Sequence, residues 1–367
     1  MGFKINRQII FLTVFSLSLF GLLMVYSSSC IYAWRVYQDP MYFLKRQFVF
    51  LLISLILFLL TLLINIDILR KYIKELLIFN IFLLIVVILA GREIGGAKRW
   101  IYLGSINFQP SELLKIFFLV YCADYFVRKK QVIKYFKEGI LPILIVTGVN
   151  FLLLLLEPDM GTVIFWSGWL ILMFLIVGVK KKHIFYLIIC GLISLIVLIS
   201  IYPYRLARIL SYFDPWIDPQ GKGFQLIQSQ IAFGEGGFWG VGLGEGKQKF
   251  LFLPAAHTDF IFSIIAEEFG FLGSCFILVL YSWIFFKMVG TSLKISDDFF
   301  RYLCWGISLV LGLEVIINVG VSSGFFPTKG MPLPFISYGG TSLFVHYFLL
   351  GLFFNVTKEY EGSISLR

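Results

Sequence analysis

The sequence predicts an all-α integral membrane protein with about ten transmembrane helices, and three observations support this fold class. Hydrophobic residues make up 59% of the 367 residues, and the mean hydropathy is +0.90. Only 14% of the residues are charged, which is too few to cover the surface of a water-soluble protein. The apolar residues are also gathered into runs of roughly the 20 residues that a helix needs to cross a bilayer. We therefore expect residues 1–367 to form a single polytopic membrane domain.

Ten apolar runs account for most of the chain, and we predict one membrane-spanning helix in each. The first run follows Lys4 and Arg7 and so resembles a signal peptide. It is long, however, and Ser27-Ser-Ser-Cys30 is a weak cleavage site, so we interpret it as a retained helix. The runs fall near residues 8–27, 47–66, 75–91, 112–127, 140–157, 162–179, 183–202, 260–288, 302–323 and 341–357.

The distribution of positive charge predicts the orientation of these helices. With the N-terminus inside, the cytoplasmic segments hold 18 of the 31 Lys and Arg residues, as the positive-inside rule requires. Of the other 13, five lie in the extracytoplasmic loop 203–257 between helices 7 and 8, and a loop of that length carries little topological weight. Both termini are then cytoplasmic. Because membrane topology explains the net charge of +10, we expect no nucleic-acid partner.

The five cysteines do not indicate a disulfide framework or a metal site. They are odd in number, scattered, and lie mostly inside apolar runs. Their spacing matches no metal-ligand motif. We therefore predict no metal-binding cluster from them.

Glu112 and Lys115 are the first candidates for a functional role in the predicted outside segments. They are three residues apart after Pro110 and so share one face of a helix. An ion pair in an apolar span is costly unless it faces the bundle interior or a wet cavity. We interpret them as a structural pair that lines an outer cavity. The alternative is a capped helix start beside an interfacial Trp100.

Two further outside segments carry charged residues with simple alternative interpretations. Glu157-Pro-Asp159 is most simply a turn, whereas Asp159 facing the same cavity as Glu112 is the functional interpretation. Arg208 lies in the loop 203–257, which we expect to be irregular. Arginine at that position could equally contact lipid phosphates.

Asp259 and Lys329 are the most informative polar residues near the predicted outer face. Asp259 follows His257 at the start of the eighth span, where an acid is often only a cap. Lys329 is the only cation of the segment 324–340, whose prolines and glycines predict an ordered re-entrant-type loop. Glu314 and Asn318 lie on one face of the preceding helix and should point inward. At least one of Glu267 and Glu268 should also face the bundle.

Five ordered motifs resemble the shape, elongation, division and sporulation (SEDS) family of lipid-linked glycan polymerases. The septal branch of that family matches Ala256-His-Thr-Asp259 and Pro327-Thr-Lys-Gly330 better than the elongation branch does. Two positions depart from the pattern, since Ala255 stands where Glu is common and Glu314 where Gln is expected. The motifs are Gly96-Ala-Lys-Arg-Trp100, Gln109-Pro-Ser-Glu-Leu113, Glu157-Pro-Asp159, His257-Thr-Asp-Phe260 and Pro332-Leu-Pro-Phe-Ile-Ser-Tyr-Gly-Gly340.

The resemblance implies a peptidoglycan glycosyltransferase that polymerises lipid II outside the membrane and releases undecaprenyl pyrophosphate. An inverting displacement needs a base, and Asp259 matches the family's essential Asp. Lys329 and Arg208 would meet the pyrophosphate, and a divalent cation (Mg²⁺ or Mn²⁺) could share that role. The other substrate-binding candidates are Lys98, Arg99, Trp100, Asp159, His257 and Ser337.

The resemblance also implies partners and a location. A class B penicillin-binding protein would cross-link the strands, other divisome membrane proteins would accompany it, and the site of action would be the division septum of the bacterial inner membrane. The alternatives are the elongation paralogue in the same family, a lipid-linked precursor flippase, and a scaffold that only recruits enzymes. Transporters usually show repeats and midplane polar sites, whereas the polar groups here crowd the outer face. A scaffold would not need charged residues within its spans.

Overall fold

The computed structural model describes residues 7–94, 97–103, 106–201, 203–250 and 252–365, and this part of the chain is mainly helical. The glycines Gly95, Gly96 and Gly104 of the predicted outer segment lie outside the described residues. The helices are α1 (Arg7–Tyr37), α2 (Tyr42–Thr61), α3 (Ile66–Lys71), α4 (Ile73–Ala90), α5 (Pro110–Arg128), α6 (Leu141–Leu156), α7 (Met160–Val177), α8 (Lys181–Ile201), α9 (Pro203–Phe213), α10 (Phe224–Gly236), α11 (Ile261–Ser292), α12 (Asp298–Ser322) and α13 (Gly340–Ser365).

Nine helices of the described chain are long and apolar enough to cross a membrane, and each overlaps a predicted run. They are α1, α2, α4, α6 with the π-helical turn before it, α7, α8, α11, α12 and α13 up to Lys358. The remaining run corresponds to α5, which has 19 residues but carries four charged ones. These charges are Glu112, Lys115, Asp124 and Arg128. The all-α membrane fold class is confirmed.

The long connection between α8 and α11 is more regular than the sequence predicts. It contains α9, a short 3₁₀ turn at Pro215–Ile217, and α10. Helix α9 exposes Leu206, Leu210 and Phe213. The apolar periodicity of α9 does not stand out in the sequence, because the neighbouring prolines and glycines interrupt the pattern. The expectation of an irregular loop is therefore wrong for this segment.

Helices α12 and α13 form the centre of the bundle, and α8 lies at its edge. Helix α12 packs against α5, α7, α11 and α13, and α13 packs also against α2. In α8, Ile184 is the one buried residue of the described helix. A close approach at Gly306 of α12 lets Trp169 of α7 donate its indole N–H to the Gly306 carbonyl at 3.0 Å, and a Cβ at Gly306 would lie 3.0 Å from the Trp169 ring. The central helix α12 and the loop that follows it carry Asn318 and Lys329, which belong to the candidate site.

A three-stranded antiparallel sheet covers one end of the bundle. Its strands are β1 (Arg92–Ile94), β2 (Ala97–Leu103) and β3 (Ile106–Phe108), in the order β1-β2-β3. Strand β2 contacts α4 and α5, and β3 contacts α13. The sheet thereby brings Arg99 to the same end as the loop before α11.

The opposite end of the bundle is tied by ion pairs between predicted cytoplasmic segments. Asp124 of α5 accepts from Arg70 of α3 at 2.8 Å and from Arg128 at 2.6 Å. Asp298 at the start of α12 pairs with Lys130 and Arg301. The segments predicted to lie inside thus meet one another at one end, as the predicted topology requires.

Candidate active site

Asp259 lies in the turn before α11, and a hydrogen bond to its main-chain carbonyl holds this turn in place. The Asn318 amide of α12 donates to the Asp259 carbonyl at 2.9 Å and to the Met331 carbonyl at 2.7 Å. One side chain therefore joins the turn that carries Asp259 to the loop that carries Lys329. The sequence predicts that Asn318 points inward, and these contacts show what that orientation achieves.

The loop 323–339 between α12 and α13 is non-helical and lies against the same turn. Ser337 donates its hydroxyl to the Thr258 carbonyl at 2.6 Å and accepts from the Leu333 N–H at 2.7 Å. The Tyr338 N–H donates to the His257 carbonyl at 2.9 Å. The Ser337 hydroxyl, predicted to bind substrate, is thus engaged by the backbone on both sides and positions the loop.

Lys329 extends from this loop across the start of α7. A Cβ at Gly161 would overlap the Lys329 Cε, so the absence of a side chain at Gly161 makes room for the lysine. The Lys329 ammonium lies 5.7 Å from the centre of the Phe165 ring. Asp159 caps α7 by accepting from the Thr162 N–H at 3.2 Å and from its hydroxyl at 2.8 Å. Burial lowers the pKa of Lys329 to about 8, and the charge of Asp159 opposes this shift.

The Asp259 carboxyl group lies directly beside the backbone of the residue after Lys329. A Cβ at Gly330 would lie 2.7 Å from the Asp259 Oδ2. Burial raises the pKa of Asp259 to about 6, while the charges of Arg99 and Lys329 act in the opposite direction. A carboxyl group with a pKa of about 6 is mostly ionised at neutral pH and could accept a proton there.

Arg99 of strand β2 connects the sheet to the Glu157-Pro-Asp159 turn. Its Nε donates to the Glu157 carbonyl at 3.2 Å, and its Nη2 donates to the Pro158 carbonyl. Burial and the nearby Asp159 raise the pKa of Glu157 to about 8, against the effect of Arg99. Arg99 therefore serves both as a backbone clamp and as a cation facing Asp259. Glu157-Pro-Asp159 forms a turn before α7. Asp159 caps that helix, and its charge also acts on Lys329.

The ring of His257 packs in an aromatic cluster beside the site. Its centroid lies 4.5 Å from that of Phe43, 5.9 Å from that of Tyr32 and 5.7 Å from that of Tyr338. Burial lowers the pKa of His257 to about 4. The imidazole is neutral at physiological pH and offers the site no positive charge.

Three of the predicted substrate-binding residues lie on strand β2 and helix α9. Lys98 is exposed on β2, Trp100 is half-buried on the same strand, and Arg208 is exposed on α9. The cations that act on Asp259 are Arg99 and Lys329. Arg208 lies on the surface helix α9, and its predicted contact with the pyrophosphate stays a prediction.

Glu112 and Lys115 form an ion pair of 2.7 Å, and the pair belongs to a larger network. Lys115 also lies 2.6 Å from Glu314 of α12. The second oxygen of Glu314 contacts His346 of α13. The sequence does not single out His346, because a lone histidine in an apolar helix carries no spacing signal.

Glu267 and Glu268 of α11 are both buried and fasten the glycine-rich segment that follows α10. Glu267 accepts from the N–H groups of Lys247 at 2.6 Å and Gln248 at 3.2 Å. Glu268 accepts from the Lys249 ammonium at 2.9 Å and from the hydroxyl of a serine in α1 at 2.6 Å. These contacts fix the chain a few residues before the turn that carries Asp259.

The described residues do not offer a protein cage for a metal ion. No group of three or more His, Cys, Asp or Glu side chains suited to a metal occurs among them. One oxygen of the buried Glu157 side chain does lack a hydrogen-bond partner in the described structure. A single oxygen of this kind could only complete a coordination sphere that the substrate phosphates supply.

Comparison with known proteins decides the family. The family described as cell cycle protein, FtsW/RodA/SpoVE, matches residues 7–362. The chain belongs to this family. The resemblance predicted from the five motifs is confirmed, and it covers nearly the whole chain.

Individual relatives of this family are similar along their full length. A protein of Geobacter metallireducens described as a probable peptidoglycan glycosyltransferase FtsW is 38% identical over 99% of both chains. A protein of Geobacter sulfurreducens with the same description is 40% identical over 97% of this chain and 96% of its own. These FtsW relatives agree with the septal branch predicted from the motifs.

Two solved structures of the family share the fold. A chain from work on the structural coordination of polymerization and crosslinking by a peptidoglycan synthase complex has a TM-score of 0.77 at 30% identity, over 96% of this chain and 97% of its own. The rod shape determining protein RodA of Thermus thermophilus has a TM-score of 0.70 at 27% identity, over 96% of both chains. The chain is thus a multi-pass membrane protein of the FtsW/RodA/SpoVE fold.

Proposed function

We propose that this chain is an inverting peptidoglycan glycosyltransferase that polymerises lipid II at the outer face of the bacterial inner membrane. The observation that carries the proposal is a half-buried carboxylate, Asp259, on which the charges of Arg99 and Lys329 act, at the end of the bundle away from the Asp124 and Asp298 ion pairs. The FtsW relatives supply the substrate class.

The geometry divides the reaction between a base and two cations. Asp259 accepts the proton of the acceptor sugar hydroxyl as its oxygen bonds to the anomeric carbon of the donor. The bond from that carbon to the undecaprenyl pyrophosphate oxygen breaks on the opposite side. The leaving pyrophosphate is a weak base and needs no acid, but its developing charge requires cations, which Lys329 and Arg99 provide. Lys329 lies on a loop that backbone contacts hold in place, and Arg99 on strand β2 donates to the Glu157 and Pro158 carbonyls, so both cations are preorganised.

The decisive experiment is polymerisation of purified lipid II by the purified chain in detergent or nanodiscs. Glycan strands resolved on a gel support the proposal. Movement of labelled lipid II across a vesicle membrane without polymer would instead support the flippase alternative. A chain that does neither, alone or with a partner, would fit only the scaffold alternative.

A divalent cation is a further proposal for the same step. Mg²⁺ or Mn²⁺ would be held mainly by pyrophosphate oxygens, since the described residues provide no cluster of three metal ligands. Removal of the ion with a chelator, followed by addition of each metal in turn, tests this dependence. Activity that is unchanged by the chelator would mean that Lys329 and Arg99 stabilise the charge of the leaving pyrophosphate without a metal ion.

The septal role and the partner are proposed from the relatives. The FtsW relatives favour cell division over elongation, and one similar structure comes from a peptidoglycan synthase complex. We place the chain at the division septum with a class B penicillin-binding protein and other divisome membrane proteins. Imaging of a fluorescent fusion in dividing cells tests the location, and copurification tests the partner.

A further inference from the structure

Four titratable side chains from three central helices meet in a buried network. Glu112 and Lys115 belong to α5, Glu314 to α12 and His346 to α13. Their side chains are 12%, 4%, 1% and 3% exposed. Lys115 lies 2.7 Å from Glu112 and 2.6 Å from Glu314, and Glu314 contacts His346 through its other oxygen. Two carboxylates therefore share one lysine, and the histidine closes the network.

The contacts of the His346 ring determine its protons. Nδ1 lies 2.7 Å from the Ser342 carbonyl, and Nε2 contacts the Glu314 Oε2. A carbonyl oxygen can only accept, so Nδ1 carries a hydrogen. The contact between Nε2 and Oε2 then needs one more proton, which resides on the nitrogen or on the oxygen. In both arrangements the Glu314–His346 pair has no net charge.

This shared proton decides the charge of the whole network. With it, the charges of Lys115 and Glu112 cancel and the network is neutral. Without an imidazole at His346, an ionised Glu314 would leave one uncompensated negative charge. His346 lines a small cavity together with apolar side chains, among them Met288, Phe335 and Leu349. An unbalanced charge in such surroundings is strongly destabilising.

The network lies directly below the residues that hold the candidate active site. Glu314 precedes Asn318 by one helical turn on α12, and Asn318 donates to the Asp259 and Met331 carbonyls. An unbalanced charge at Glu314 therefore acts on the turn of α12 whose Asn318 holds the Asp259 turn and the Lys329 loop. The charged groups that face the pair are Glu112 and Lys115 of α5 and Lys329 of the loop.

We propose that Glu314 and His346 form one proton-sharing pair, which keeps this network neutral and positions Asp259 and Lys329 through α12. His346 is then a positioning residue, whose partner is Glu314 and not the substrate. The activity readout of this inference rests on the proposed glycosyltransferase function. The stability readout does not depend on it.

The test is a double-mutant cycle on the purified full chain with H346Q, E314Q and the combination of both. H346Q leaves Glu314 without its proton and should lower the polymerisation rate at least about tenfold, together with the unfolding midpoint. E314Q removes the negative charge of Glu314, while the ion pair between Lys115 and Glu112 remains. Its effect on the polymerisation rate and on the unfolding midpoint should therefore be small. The double variant should recover most of the loss caused by H346Q, because the extra charge is gone. H183Q, on the peripheral helix α8, serves as the control.

The pH dependence separates this pair from a purely structural contact. An isolated Glu314 becomes neutral only by binding a proton, so the activity of H346Q relative to the wild type should rise as the pH falls. In the double variant this ratio should stay level. Additive losses in the cycle, or a level ratio for H346Q, would overturn the proposal. If even the wild type makes no polymer, the glycosyltransferase proposal fails, and the unfolding midpoints still decide whether the two residues act as a pair.

Discussion

Asp259 is anchored through its main-chain carbonyl, so its side chain can be changed without removing the anchor. We predict that Asp259→Asn abolishes lipid II polymerisation, because the amide cannot accept the hydroxyl proton. Loss of a general base costs roughly 10²–10⁴-fold in rate. A lipid II gel assay measures the effect, and the thermal unfolding midpoint should stay close to that of the wild type. Strands of normal length made at the normal rate would remove Asp259 from this role.

The two shifted groups of the site predict a bell-shaped pH profile. Asp259 must be ionised to act as a base, and its pKa is about 6, so the rate should fall as the pH drops below that value. Lys329 must be charged, and its pKa is about 8, so the rate should also fall above that value. Lys329→Arg keeps the cation charged and should extend activity to higher pH. Steady-state rates between about pH 5 and 10 in one detergent would show both limbs; an unchanged alkaline limb in the arginine variant would exclude Lys329 as its source.

The space at Gly161 provides a test of the position of the Lys329 side chain. In Gly161→Ala the new Cβ would overlap the lysine side chain and displace it, so we expect a lower polymerisation rate with a nearly unchanged unfolding midpoint. Gly168 of the same helix has no heavy atom within 4 Å of such a Cβ. Gly168→Ala is therefore the matched control and should retain full activity. Equal rates for the two variants would show that polymerisation does not depend on the space that Gly161 leaves for the Lys329 side chain.

The sequence predicts individual site residues only where motif or spacing gives a signal. Asp259, Lys329 and Arg99 stand in short polar motifs and could be selected in advance. Arg208 stands in a similar context, but its distance from the site depends on how α9 folds. His346 lies alone in an apolar helix, so only the three-dimensional packing reveals that it meets Glu314.

Helix α5 carries the ion pair Glu112–Lys115 near its start, and Lys115 also contacts Glu314 of α12. Replacing Lys115 by Met should destabilise the chain more than replacing Glu112 by Gln, since loss of the lysine removes two close contacts, to Glu112 and to Glu314, and loss of the Glu112 charge removes one. Breaking a buried ion pair typically costs about 3–5 kcal/mol. Unfolding midpoints of the two variants in the same detergent provide the comparison. A larger loss for the Glu112 variant would contradict the shared arrangement of Lys115.

At the scale of elements, long apolar runs are predictable and short surface helices are not. All ten runs coincide with helices, because a span must satisfy its own backbone hydrogen bonds in lipid. Helices α9 and α10 are short and lie among glycines and prolines, so local pattern alone does not separate them from loop. The three-residue strands β1 and β3 are likewise too short to give a periodic signal.

For the whole molecule, we predict that a class B penicillin-binding protein raises the polymerisation rate. Helices α9 and α10 form a surface segment that leads towards the turn of Asp259, and contact with a partner there would act by positioning and not by adding catalytic groups. A lipid II assay of the chain titrated with the transpeptidase measures the activation. A partner truncated to its membrane-spanning helix is the control for contact within the bilayer alone. Full activity without the transpeptidase, and no response to it, would contradict activation.

The main-chain anchoring of Asp259 also has a consequence for how a long polymer is made. The turn of Asp259 and the loop of Lys329 are both tied to Asn318, and Ser337 ties the same loop to Thr258. The backbone segments that carry Asp259 and Lys329 are therefore fixed relative to each other. After each addition the new sugar end has to leave this fixed point before the next disaccharide can enter. Under the proposed function, translocation is therefore a movement of the glycan past the stationary turn of Asp259.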